Sequence, residues 1–153
     1  MNLKITKIDP NSTELPWNLL LSADPSEELV KEYLKRGICY VAALETETVG
    51  IYVLIYTRPE TLELVNIAVD EKFQGKGIGK TLVLHAISKA KELKMKVLEV
   101  GTGNSSLSQL ALYQKCGFRI SGVDKDFFSK HYPEPIYENG ILCTDMIRMS
   151  LDL

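Results

Sequence analysis

Apolar and polar positions in this chain follow one rhythm in its first half and another in its second. Leu3-Lys-Ile-Thr-Lys-Ile8 alternates, the period of a half-buried strand. Apolar runs at 38–44 and 49–56 predict two further strands joined by the polar turn 45–48, and Arg58-Pro-Glu60 turns the chain into a fourth strand at 61–69. Between the first two strands, Asp24-Pro-Ser-Glu27 reads as a helix start, with proline at an early helical position and carboxylates in the first turn; the helix covers 26–35 and stops before Gly37. Then the period changes. Ile78, Leu82, Ala86, Ala90 and Leu93 recur at helical spacing, so a helix begins near Gly77 and continues past Lys91. A strand at 97–101 leads to a short helix from Ser106 through Gln114, which Gly117 ends in the position where positive φ is favoured. A strand from 118 to 123, a polar and aromatic excursion at 129–140 and a last alternating strand at 143–151 complete the pattern. A strand meander followed by two strand-to-helix units predicts a mixed α/β sheet with helices on both faces.

Composition narrows the function classes. A chain of 153 residues with 45% hydrophobic and 25% charged positions is expected to form one domain spanning 1–153. A net charge of −2 without a basic face argues against nucleic acid as the main partner. No apolar run approaches the roughly 20 residues that span a bilayer, so no membrane role is expected. Cys39, Cys116 and Cys143 show neither CxxC nor metal spacing, so no metal is expected. Their odd number, without a signal peptide, suggests a reduced, cytoplasmic chain.

The candidate chemistry lies where the apolar strand Val65-Asn-Ile-Ala-Val69 runs into Gln74-Gly-Lys-Gly-Ile-Gly-Lys80 and opens the helix. Glycines bring backbone N–H groups close to a ligand because no Cβ intervenes. The first N–H groups of a helix lack internal partners and sit at its positive end, so the junction is a cradle for phosphate or pyrophosphate. A dinucleotide fingerprint fails because its third glycine falls on Lys80. A Walker A loop matches Gly79-Lys80-Thr81 but requires glycine where Gln74 stands.

Gln74-x-x-Gly77-x-Gly79 resembles the pyrophosphate loop of the GNAT superfamily of N-acetyltransferases, and Ala111-Leu-Tyr-Gln-Lys-Cys-Gly-Phe118 resembles that superfamily's A-L-Y-x-x-x-G-F signature. Both motifs follow strands, in the family's order, and bacterial members look similar over the whole chain. The resemblance implies a GNAT-like, mostly antiparallel central sheet of about seven strands with about four helices. Acetyl-CoA is the implied donor and a primary amine, on a small molecule or peptide, the implied acceptor. Gln74, the N–H groups of Gly75, Gly77 and Gly79, and the charges of Lys76 and Lys80 match the pyrophosphate site. Main-chain groups of Ile67 and Val69 match the thioester edge. Tyr113 matches the hydrogen-bond donor to the leaving thiolate, and Glu63 the general base; alternation would put Glu63 on the face of Val65 and Ile67. Many members carry asparagine where this chain has Ser106, so the loop with Asn104 and Ser106, both candidate cofactor contacts, is organised differently. Ser106-x-x-Gln109 has the form of a capping box.

Glu99 is a weaker candidate base, His85 is expected at the surface, and His131 could reach substrate. Residues 17–24, Tyr33 and 127–139 are expected to border the acceptor, where Tyr132, Tyr137 and Glu138 could hold a cation, pack as a loop or contact a second copy. A non-catalytic acyl-CoA sensor and, more remotely, a P-loop nucleotide enzyme are the alternatives.

Overall fold

A computed structural model describes residues 2–153. Strands β1 (Leu3–Ile8), β2 (Gly37–Leu44), β3 (Glu47–Arg58), β4 (Thr61–Val69), β5 (Val97–Gly103), β6 (Arg119–Asp124) and β9 (Met146–Asp152) form one seven-stranded sheet in the order β1-β2-β3-β4-β5-β9-β6. Every pairing is antiparallel except β4 with β5. Helices α1 (Trp17–Ala23) and α2 (Glu27–Leu34) lie on one face, and α3 (Ile78–Glu92) and α4 (Leu107–Lys115) on the other. β3 crosses the middle, and Val49 to Ile55 are buried on both of its faces because helices cover both. Among the described residues five helices form, in keeping with the expected four or so. The excursion folds into α5 (Phe127–His131) and the two-residue strands β7 (Tyr137–Glu138) and β8 (Ile141–Leu142), and the last strand begins at Met146, not 143. Pro25 stays outside α2, whose N-cap is Ser26, its hydroxyl accepting from Leu29 N–H at 3.2 Å.

Two irregularities in β4 shape the molecule. The first is a bulge. Val53 pairs with Asn66 and Leu54 with Leu64, so Val65 is an extra residue in the ladder. An extra residue reverses the alternation. Leu62 and Leu64 pack on the α3 side, as do Ile67 and Val69, whereas Val65 and Ala68 pack on the α1–α2 side. Glu63 therefore lies on the face opposite Ile67, not on the same one.

The second is a splay. β4 pairs with β5 only from Thr61–Val97 to Leu64–Val100. Beyond that point β4 stays with β3 and β5 stays with β9, so the facing edges of Val65–Val69 and Gly101–Gly103 have no strand between them.

Candidate active site

The gap between the parted strands is a cavity of about 740 Å³. It is bordered by β4 from Leu64 to Val69, the end of β5, the glycine loop with the start of α3, α4 at Leu112 and Tyr113, the α1–α2 junction at Asp24, and the excursion at Phe128, Tyr132 and Glu138.

The open edge of β4 follows from strand geometry. Asp70 N–H donates to Val49 O at 2.8 Å, toward β3. In an antiparallel pair successive residues bond to alternate sides, so Val69 and Ile67 turn their N–H and C=O groups away from β3, to the gap. The Val69 carbonyl is already taken: Gln74 Nε2 donates to it at 3.0 Å. The Gln74 side chain thus fastens the loop to the strand end.

The cradle has the required form. Gly75 and Gly77 adopt φ of 78° and 83°, and a Cβ at either would meet open space. Among the described residues the N–H groups of Gly75, Lys76 and Gly77 have no backbone acceptor, and Thr81 N–H is the first of α3 to bond back, to Gly77 O at 3.1 Å. Those of Ile78, Gly79 and Lys80 precede it, and the first turn of α3 carries no acidic side chain. An anion fits there. Lys76 stands over the Phe73 ring at 5.5 Å. Lys76 and Lys80 are exposed and do not line the cavity.

Tyr113 is buried in the cavity wall, its ring edge-on to Phe118 at 5.9 Å. Among the described residues its hydroxyl has no protein hydrogen bond. Burial, and secondarily Cys116, pushes its pKa up. Glu63 is half-buried on the α1–α2 face and does not line the cavity. Its pKa is raised, chiefly by burial; Arg148 opposes the shift and neighbouring Glu99 adds to it. Glu99 is itself paired with Arg58.

The β5–α4 loop departs from the expected roles. Ser106 is the N-cap of α4, but its hydroxyl donates to Glu138 Oε1 at 2.8 Å, so the capping box does not form. Ser106 still lines the cavity. Asn104 does not: its Oδ1 accepts from the N–H groups of Thr144 and Asp145 at 2.8 and 3.0 Å, and its Nδ2 donates to Leu142 O at 3.2 Å. Its side chain pins the loop to the chain entering β9. His85 is half-buried, with Nδ1 2.6 Å from the Tyr52 hydroxyl, not a free surface residue. His131 is exposed, lies against Phe127 and does not line the cavity. Trp17 packs in the α1–α2 core, and Tyr137 is 67% exposed.

Asn66 was not among the expected site residues. It is 3% exposed and lines the cavity, with Nδ2 donating to Leu20 O and the Tyr33 hydroxyl. Its sequence signal is a lone amide in the apolar run Val65-Asn-Ile-Ala-Val69. Tyr33 lies behind it, outside the lining, and donates to Asp24 Oδ2 at 3.3 Å.

A parted sheet edge, an anion cradle on a helix N-terminus and a buried tyrosine border one cavity. The family model described as acetyltransferase (GNAT) family matches residues 7–118, and the chain belongs to that family. It is 58% identical over 151 residues to the protein called uncharacterized N-acetyltransferase YvbK of Bacillus subtilis (strain 168), covering 99% of this chain and 97% of that one. The solved IAA acetyltransferase from Bacillus cereus ATCC 14579 is similar at a TM-score of 0.96 and 56% identity, over 99% of this chain and 100% of that one. A GNAT family acetyltransferase from Elizabethkingia anophelis, crystallised with acetyl-CoA bound, is similar at a TM-score of 0.96 and 51% identity, over 99% of each chain.

Proposed function

We propose that this protein moves an acetyl group from acetyl-CoA to a primary amine by direct attack of the amine on the thioester carbon. One observation carries the reading: the open edge of β4, the α3 cradle and the unpartnered Tyr113 hydroxyl all border a single cavity. The cradle N–H groups and Gly75, Gly77 and Gly79 would hold the pyrophosphate. The main-chain groups of Ile67 and the N–H of Val69, whose carbonyl Gln74 holds, would align the acyl arm. As the C–N bond forms and the C–S bond breaks, Tyr113 donates a hydrogen bond to the sulfur leaving as thiolate. The amine must shed a proton first, because an ammonium has no lone pair. A lysine-like amine of pKa ~10.4 is mostly protonated at neutral pH. Glu63 is the assigned base; lying outside the lining, it would act through water. Ser106, which lines the cavity, would contact the cofactor, while Asn104 would organise the loop. The three free cysteines suit a reducing, cytoplasmic setting.

The test is an acetyl-transfer screen against an amine panel, with thiol release and product mass as readouts. Addition of one acetyl group to an amine supports the reading. Tight coenzyme binding without transfer to any amine would replace it with an acyl-CoA sensor.

A further inference from the structure

The acceptor class can be read from the charge of the cavity, on the footing of the transferase reading above. Among its lining residues only Asp24 and Glu138 are charged; no Lys, Arg or His lines it. Neither carboxylate is in an ion pair with a cation of the described chain. Asp24 is held in place by neutral donors. Its Oδ1 accepts from the Tyr132 hydroxyl at 2.8 Å and from Ser26 N–H at 3.2 Å, and its Oδ2 from the Tyr33 hydroxyl. Glu138 Oε1 accepts from Ser106, and its Oε2 has no protein donor. These bonds fix both groups without cancelling their charge.

A second, independent observation points the same way. Asn66 lies in the wall of this cavity, and its Oδ1 is buried without any hydrogen-bond partner. Its orientation is set, because Leu20 O can only accept and therefore holds the Nδ2 side. A buried carbonyl oxygen without a donor is unfavourable until a donor arrives. Asn66 Oδ1 and Glu138 Oε2 lack donors and Asp24 lacks a cation, so the complementary ligand is rich in N–H donors and positively charged.

The reacting nitrogen cannot keep that charge in the attacking complex, because it arrives mostly protonated and must shed its proton before it attacks. The carboxylates must then face a second ammonium on the same acceptor. An amino acid would instead bring its own carboxylate into a cavity with no cation to meet it. The Tyr132–Asp24 bond also ties α5 to the α1–α2 junction beside the cavity, a closure that suits a slender chain better than a folded polypeptide.

We propose that the acceptor is a small aliphatic diamine or polyamine, one neutral amine attacking the thioester while a second, protonated amine is held by Asp24 and Glu138 and Asn66 Oδ1 accepts an N–H. The attacking nitrogen gains the acetyl carbon and gives up one proton to solvent. The sulfur leaves with the C–S electron pair, and the distal ammonium is unchanged. The product is a monoacetylated polyamine.

The experiment compares kcat/KM for putrescine and spermidine with that for butylamine and for an N-terminally blocked lysine peptide. Assays use the full chain with acetyl-CoA. The diamine should exceed the monoamine by about tenfold or more, a difference of about 1.4 kcal/mol. Asp24→Asn and Glu138→Gln should each move that ratio toward one. Glu138→Gln keeps an acceptor for Ser106, so it informs even if Asp24→Asn fails to fold. Parity of putrescine with butylamine, preference for the peptide, or a ratio untouched by both variants would overturn the proposal while leaving the transferase reading intact. Coenzyme binding in calorimetry with no transfer to any amine would remove both.

Discussion

At Tyr113, burial works against proton transfer and in favour of hydrogen bonding. A free tyrosine of pKa ~10 already lies above a free thiol of ~8.5, and burial raises that of Tyr113 further. The hydroxyl therefore serves the thiolate best as a donor aimed where charge develops. Tyr113→Phe keeps the ring against Phe118 and deletes an oxygen without a protein partner. Transfer should fall by roughly 10- to 1000-fold, with acetyl-CoA affinity and thermal midpoint nearly unchanged. Equal pre-steady-state transfer rates would remove Tyr113 from the chemistry. Glu63 carries a pH prediction. Its folded-state pKa is raised, so the ionised form is the one the fold disfavours. The favourable contribution is complete below the unfolded pKa of ~4.3 and is lost as pH rises through the folded value. Glu63→Gln should thus raise Tm above wild type at neutral pH, and the gap should close on acidification. If Glu63 is the base, the variant also loses the acidic limb of the kcat/KM profile; an unchanged profile would leave Glu63 a structural carboxylate. Tyr113 was readable because the Ala-Leu-Tyr string names it. The face of Glu63 was not, because one extra residue at Val65 reverses the alternation, and no local pattern announces a bulge.

Elements whose cause is local follow their sequence closely. The strand read at 61–69 is β4 as found, and the helix read from near Gly77 past Lys91 is α3 at Ile78–Glu92. Periodicity and glycine chemistry lie within the segment itself. Contacts between segments are where reading fails. Ser106 and Gln109 have capping-box spacing, yet the Ser106 hydroxyl goes to Glu138, 32 residues on. The helical pattern predicts a surface position for His85, yet it packs edge-on against Tyr40 and Tyr52 on two strands. The cradle belongs to the local kind and can be tested as an element. Gly77 holds φ 83° at the N-cap of α3, and a Cβ there would meet no protein atom within 4 Å. Gly77→Val thus acts through the backbone, since a β-branched residue resists this conformation, and through the space meant for the anion. Acetyl-CoA affinity should fall by about 1–3 kcal/mol as N–H groups lose their acceptor, measured by calorimetry on variant whose circular dichroism matches wild type. Undiminished affinity would take the pyrophosphate away from this loop.

The whole molecule is a sheet opened on one side and tied across the opening. The splay of β4 from β5 depends on which neighbour each strand keeps, and the tie joins residues far apart in sequence. Strand order and excursion folding are not encoded in any single window, so the two motifs are legible in the sequence but the placement of Asn66 and the shape of the cavity are not. The tie itself is one bond: the Tyr132 hydroxyl to Asp24 Oδ1 at 2.8 Å, across 108 residues. On the excursion side it rests on a five-residue helix and a hairpin of two-residue strands, elements too short to be stable alone. On the other side Asp24 keeps Tyr33 and Ser26 N–H as partners without it. Removing the bond should therefore loosen the excursion, which its bonds to Asn104, Ser105 and Ser106 still anchor, and leave the sheet unmoved. Tyr132→Phe retains the ring beside Phe128 and removes only the donor. Global stability should drop by about 1 kcal/mol, the net worth of a typical hydrogen bond. Amide exchange should quicken across 127–142 and stay unchanged in β3 and β4. KM for the acceptor should rise several-fold more than KM for acetyl-CoA, because the α3 cradle lies apart from the tie. Uniform loss of protection over the whole sheet would show that the bond supports the core; no change in 127–142 would show that packing of Phe128 and Tyr132, not the hydroxyl, holds the excursion over the cavity.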